Sequence, residues 1–142
     1  MSLPILATTV PHPGRIRALR SAFGSPLVCA LVENSTFSAL SRLSVEHLGK
    51  AYNGGFWEYI TLSNGGFFLH PALGQDYRLF CAGNGAEEVV SGEAAGIVAT
   101  LFSLSSLAMR LPTQEILADR YHQLLDFARG RPDYEAIASL ID

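Results

Sequence analysis

The chain has 142 residues, 49% of them apolar, enough for one domain built around one buried core. Its 13 acidic and 10 basic residues are spread along the chain and leave a net charge of −3, which excludes both a nucleic-acid-coating protein and a highly acidic decoy. Cys29 and Cys81 stand far apart with no C-x-x-C spacing, so neither a disulfide framework nor a zinc site is indicated.

The segment 1–13 carries Pro4, Pro11 and Pro13 and reads as an irregular arm. Its apolar opening lacks a basic flank and is shorter than a signal-peptide core, so the expected compartment is the cytoplasm. Arg15, Arg17 and Arg20 interleave with Ile16, Leu19 and Phe23, predicting a short helix with a basic edge before the Gly24-Ser25-Pro26 break. Leu27 to Val32 is apolar without a decisive period. From Glu33, the positions Phe37, Leu40, Leu43 and Leu48 fall near helical spacing, with Gly49 as a stop.

The period then changes to two. Phe56, Glu58, Ile60 and Leu62 alternate with Trp57, Tyr59 and Thr61, and these aromatic and β-branched residues suit a strand. Asn64-Gly65 predicts a two-residue type I′ turn, with Phe67 to His70 as the returning strand. If Ser63 pairs with Gly66, Leu62 faces Phe67, Thr61 faces Phe68, Ile60 faces Leu69 and Tyr59 faces His70. That register gives an apolar core face of Phe56, Ile60, Leu62, Phe67 and Leu69. The opposite face then carries Trp57, Tyr59, Thr61, Phe68 and His70. Tyr77 to Cys81 is expected as the third strand of the same sheet.

Gly83-Asn84-Gly85 reads as a turn, and Ser91 as the N-cap of an apolar helix ending near Arg110. Ala94 to Ala108 is shorter than the ~20 apolar residues a membrane span needs, and serines and a threonine interrupt it, so a buried core helix is expected and no membrane contact. Thr113 is expected to cap the next helix, with a stripe of Ile116, Leu117, Tyr121, Leu124, Leu125 and Ala128 and a stop at Gly130. Pro132 suits the first turn of a last helix carrying Tyr134, Ile137, Ala138 and Ile141. Strands in the middle and helices toward the end predict one α+β domain over residues 1–142. Its small antiparallel sheet, a hairpin over about 55–71 plus a strand over about 77–81, packs against several helices.

Signs of catalysis are sparse. No G-x-S-x-G elbow surrounds a serine, and His12, His47, His70 and His122 lack metal-ligand spacing, so no catalytic residue, metal or cofactor is assigned. Two other readings stay open: a small hydrolase using Cys81 or a serine with His70 or His122, and a DNA-binding module using Arg15, Arg17 and Arg20.

Longer motifs carry a resemblance. Tyr52-Asn53-Gly54-Gly55-Phe56-Trp57-Glu58-Tyr59 runs into Leu62-Ser63-Asn64-Gly65-Gly66-Phe67-Phe68-Leu69. Gly83-Asn84-Gly85 and the Glu93 to Phe102 helix with its Ala-Ala-Gly-Ile follow, and Tyr121-His122, Leu124, Asp126, Pro132 and Ile137 to Asp142 close the chain. Over residues 33–142 this pattern resembles the KlcA/ArdB antirestriction proteins. Three features depart from it: the first thirty residues, the segment Val45 to Lys50, and Ser105-Ser106, where a polar pair with histidine is usual. The resemblance implies a protein of plasmids and other mobile elements that relieves type I restriction of incoming DNA. The expected partner is the restriction-modification complex or an accessory host protein, with no direct DNA binding. A mimic must imitate about one negative charge per 1.7 Å of duplex, and a net charge of −3 without an acidic row does not. The expected contact residues are Trp57, Tyr59, Phe68 and His70 on the hairpin, Arg78 on a neighbouring strand, and Asp142, which matches the family's ending.

Overall fold

A computed structural model describes residues 3–45, 56–72 and 74–142. Among the described residues, five helices surround two small antiparallel sheets. In chain order the elements are β1 (Ala7–Thr9), a 3₁₀ turn (His12–Gly14), α1 (Arg15–Phe23), α2 (Pro26–Leu43), β2 (Trp57–Leu62), β3 (Phe67–Pro71), β4 (Asp76–Cys81), β5 (Ala86–Ser91), α3 (Gly92–Arg110), α4 (Glu115–Arg129) and α5 (Tyr134–Ile141).

The N-terminal segment departs from the irregular arm expected. Thr8 pairs with Thr61 and Thr9 with Ile60, making β1 the third strand beside β2. Prolines flanking so short an edge strand need not break its ladder. The Gly24-Ser25-Pro26 break falls where expected, between the end of α1 at Phe23 and the start of α2 at Pro26. The Ser25 hydroxyl accepts the Val28 amide at 3.1 Å and Pro26 opens α2, where a missing N–H does no harm. Val28, Cys29, Val32, Thr36, Ala39, Leu40 and Leu43 then form one buried helical stripe. The Gly49 stop lies outside the described residues, and α2 ends earlier, at Leu43.

The hairpin register differs by one residue from the expected one. Thr61 faces Phe67, Ile60 faces Phe68, Tyr59 faces Leu69 and Glu58 faces His70. The loop has three residues: the Gly65 amide donates to the Leu62 carbonyl at 3.0 Å, and Gly65 takes φ +95°. That is a type I turn closed by a left-handed glycine, the commonest three-residue hairpin loop. A slip of one moves every β3 side chain to the other face. Phe67 therefore joins the side of Tyr59, with ring centroids 6.3 Å apart.

Tyr77 to Cys81 is a strand, but it pairs with β5 in a separate ribbon rather than extending the hairpin sheet. A bridge from Ser44 to Leu79 ties this ribbon to the end of α2. α3 occupies the centre, packing against α2, α4, α5 and β3. Ala94 through Leu101 are all buried, as expected of a helix that is apolar on every side. Its length and mean hydropathy of 1.4 would pass for a membrane span, yet 67% of that window is buried in the fold. Gly96 makes the close approach possible: a Cβ there would lie 2.2 Å from the Leu69 carbonyl oxygen and 2.4 Å from the His70 Cα. One turn on, the Thr100 hydroxyl serves the free edge of β3, accepting from the Leu69 amide at 3.3 Å. α4 starts at Glu115 without a side-chain cap from Thr113.

Candidate functional site

The aromatic hairpin residues lie inside the protein. Trp57 is 5% exposed, Tyr59 8% and Phe68 fully buried, which corrects the expectation of an aromatic face open to a partner. The reason is that helices cover both sides of the sheet. Phe37 of α2 packs on Trp57 at 4.8 Å between ring centroids, and Phe23 of α1 meets Phe67 edge-on at 5.7 Å. On the other side Phe68 stacks on Phe127 of α4 at 5.8 Å. Phe56, placed in the core by the alternation, is instead exposed.

Tyr59 belongs to a half-buried polar cluster. Its hydroxyl donates to Glu33 Oε2 at 2.5 Å, while the Arg15 guanidinium lies 4.8 Å from its ring centroid and reaches Glu58 Oε2 at 3.4 Å. Burial first, and then the Glu33 carboxylate, push the phenol well above its ordinary range. Tyr59 is thus held as a proton donor to Glu33 at neutral pH, and the cluster fastens α1 and α2 onto β2. Arg15 is committed there, leaving Arg17 and Arg20 as the exposed part of the basic edge.

Of the pairs considered for catalysis, Cys81 and His70 share no hydrogen bond, while Ser105 and His122 line one concavity without a hydrogen bond between them. His70 sits on β3 with Nδ1 2.9 Å from the Pro71 carbonyl oxygen and its ring 5.9 Å from Phe68, with no bond to Cys81. Burial raises the Cys29 thiol pKa, away from the thiolate a nucleophile needs. His122 meets Tyr121 edge-on at 5.4 Å beside a shallow concavity of about 270 Å³ between α3 and α4. Among the described residues no three His, Cys, Asp or Glu side chains gather at metal-binding distance.

Arg78 and Asp142 remain at the surface. On the ribbon, Tyr77, Leu79 and Val90 point into the core, so Asp76, Arg78 and Phe80 share the outer face with Glu87, Val89 and Ser91. Arg78 bonds Glu87 through Nε at 2.9 Å and Nη2 at 2.6 Å, a forked contact to one oxygen. On the crossing diagonal Phe80 is 41% and Val89 66% exposed. Asn84 in the ribbon turn donates to the Ser139 carbonyl at 3.1 Å, which fixes that turn against α5 and sets Asp142 beside it. Behind the ribbon, Arg131 holds Asp133 at 2.8 Å and also pairs with Glu93 at the start of α3.

Phe80 and Val89 were not legible as surface residues, since the Ala86–Ser91 strand carries two glutamates and no aromatic. The Arg120 and Gln123 pair was missed as well. Asn64 Nδ2 donates to the Gln123 carbonyl at 2.9 Å, while Arg120 reaches Gln123 Oε1 at 2.9 Å and the Ala22 carbonyl at 2.7 Å. The helical spacing of 120 and 123 was visible, but nothing in sequence tied it to the Asn-Gly-Gly tip.

Comparison with known proteins fits this architecture. The sequence profile of the family described as antirestriction protein matches residues 50–142. Antirestriction protein KlcA of Escherichia coli is 39% identical over 98% of this chain and 96% of its own length. A second Escherichia coli KlcA is 41% identical over 98% of this chain and 94% of its own length, and YafX of strain K12 is 34% identical over 97% and 88%. A solved structure of the KlcA and ArdB proteins superposes with a TM-score of 0.87 at 37% identity, covering 100% of this chain and 98% of that one. That work describes a novel fold with antirestriction activity against type I DNA restriction systems in vivo but not in vitro. With a family profile over most of its length and relatives near 40% identity along nearly all of it, the chain belongs to the antirestriction protein family.

Proposed function

We propose that this protein relieves type I restriction of incoming DNA, and that it does so by binding a protein component of the restriction system or a host accessory protein. Family membership supports the first half. The second half rests on one observation: five acids, Glu58, Glu87, Glu93, Asp126 and Asp133, are each paired with an arginine of the chain itself. A duplex mimic works through rows of uncompensated charge. Here five of the 13 acids are instead neutralised locally.

In this reading the contact surface is the outer face of the ribbon, Arg78, Phe80 and Val89, with Asp142 alongside and His70 as an outlying member. Trp57, Tyr59 and Phe68 serve it from within, as the scaffold that fixes the sheet. Aromatic, aliphatic and arginine side chains exposed together are the composition of a contact centre. The test is to plate unmodified phage on hosts carrying different type I systems, with and without the protein. Relief in at least one restricting host, absent in a non-restricting host, is the expected result. A purified protein that competes with duplex DNA for the restriction enzyme, with a steep loss of competition as salt rises, would instead mark it as an electrostatic mimic.

A further inference from the structure

Below the hairpin tip lies a concavity of about 260 Å³ between α1 and α4, lined by Ala18, Ser21, Ala22, Leu62, Phe67 and Arg120 among others. Two hydrogen bonds hold the Arg120 guanidinium: Nε donates to the Ala22 carbonyl and Nη1 to Gln123 Oε1. A guanidinium has five N–H donors, so three of them remain uncommitted. No carboxylate among the described residues lies within ion-pair distance of Arg120, although five other acids have found arginines. Asp119, its chain neighbour, points about 100° away around the helix. The cation is therefore half-buried, held in place and uncompensated, and it faces a hollow with methyl and ring walls.

We propose that this hollow is a binding site for a carboxylate, filled by an acidic side chain of the partner protein. The partner identity rests on the protein-binding reading above. A carboxylate is favoured over a phosphate because the donors are few and forked. The Gly65 and Gly66 amides, which could have cradled a phosphate, are already committed to the Leu62 carbonyl and to Asn64 Oδ1 at 3.0 Å. What remains is a planar fork, which matches two carboxylate oxygens, and the Ser21 hydroxyl. Ala18, Ala22, Leu62 and Phe67 would receive the methylene stem. Arg17, one turn before Ser21 on α1 and exposed, adds a second positive charge near the mouth. The spacing of the tip supports the site: a Cβ on Gly65 would fall 3.1 Å from Arg120 Nη1, so this glycine leaves the guanidinium its room.

The test is an amide NMR titration of the full chain with N-acetyl-aspartate methylamide, its asparagine counterpart, and inorganic phosphate. Expected are saturable shifts at the Gly65 and Gly66 amides and at the Arg120 Nε–H with the aspartate probe, at about millimolar affinity, the ~4 kcal/mol range of a single small contact. The asparagine probe and phosphate should give none. Equal shifts from the asparagine probe, or saturation by phosphate alone, overturn the assignment. Arg120→Gln would also release Ala22, so the informative variant is Ser21→Asp, which supplies a carboxylate from within the chain at an exposed helical position. It should keep the thermal midpoint, abolish the probe shifts and lower restriction relief about tenfold. Full relief by Ser21→Asp with the probe shifts gone would refute the partner assignment. Saturable probe binding by a wild-type chain that relieves restriction in no host would leave the pocket standing and remove the functional reading instead.

Discussion

Two of the antiparallel strand pairs of this fold are alike in strand length and turn but differ in setting. The β2–β3 hairpin and the β4–β5 ribbon each join strands of five or six residues through a glycine-bearing turn, Gly65 in one and Gly85 in the other, both with positive φ. The hairpin has helices on both faces and α3 along its edge, and its aromatic residues are core. The ribbon is covered on one face only, by α3 and α5, and presents Phe80 and Val89 to solvent. Aromatic density in a strand thus indicates where the core is as readily as where a partner docks. What separates the two is whether helices cover both faces or only one.

That contrast can be attacked first at the closest approach in the core. Gly96→Val should be the most damaging single change, because the added atoms meet backbone at Leu69 and His70 rather than a side chain that could swing away. A loss of ~3 kcal/mol or more is expected, read as a large drop in thermal midpoint. An unchanged midpoint would show that the helix-to-strand contact is loose. Phe68→Ala comes next, with about 3–5 kcal/mol lost by chemical denaturation, since it empties the space between β3 and Phe127. Any fall in restriction relief from this variant should follow the fraction folded.

Smaller effects sharpen the same comparison. Tyr59→Phe removes the donor to Glu33 and should cost about 1–2 kcal/mol, with the pH dependence of phenol ionisation losing a member that titrates above the ordinary range. At Asp133 the Arg131 guanidinium holds the carboxyl below the usual aspartate range. With a folded pKa below the unfolded one, its contribution is fully present above the unfolded pKa and disappears as pH falls through the folded pKa. Asp133→Asn should therefore flatten the acid limb of the stability profile while leaving its alkaline side unchanged. Smallest of all, Arg78→Ala should change stability by only ~0–1 kcal/mol, because both partners of its ion pair with Glu87 are exposed.

Much of the architecture was legible in sequence where local chemistry and long-range packing agree. Ser91 caps α3 as its hydroxyl suggested, accepting the Ala94 amide at 3.1 Å, and the stripe of α4 buries Leu117, Leu124 and Ala128. The failures have physical causes. Alternation identifies a face only when one face is wet, and β2 and β3 are dry on both sides, so their pattern could not detect the one-residue slip. A loop of two or three residues is compatible with the same Ser-Asn-Gly-Gly, and only the Leu62 to Gly66 bond decides. β1 has only three residues and is defined by pairing across the chain, while β5 carries no strong period and is defined by pairing with β4. The site was harder still, because exposure of Phe80 and the isolation of Arg120 arise from tertiary packing alone.

The most direct test of the contrast is restriction relief by the double variant Phe80→Ser, Val89→Ser, compared with wild type at matched abundance and matched thermal midpoint. A loss of relief of about tenfold or more, the loss of ~1.4 kcal/mol of contact energy, with stability within ~0.5 kcal/mol of wild type, is the predicted result. Full relief by that folded double variant would contradict the assignment of the ribbon face as the contact surface.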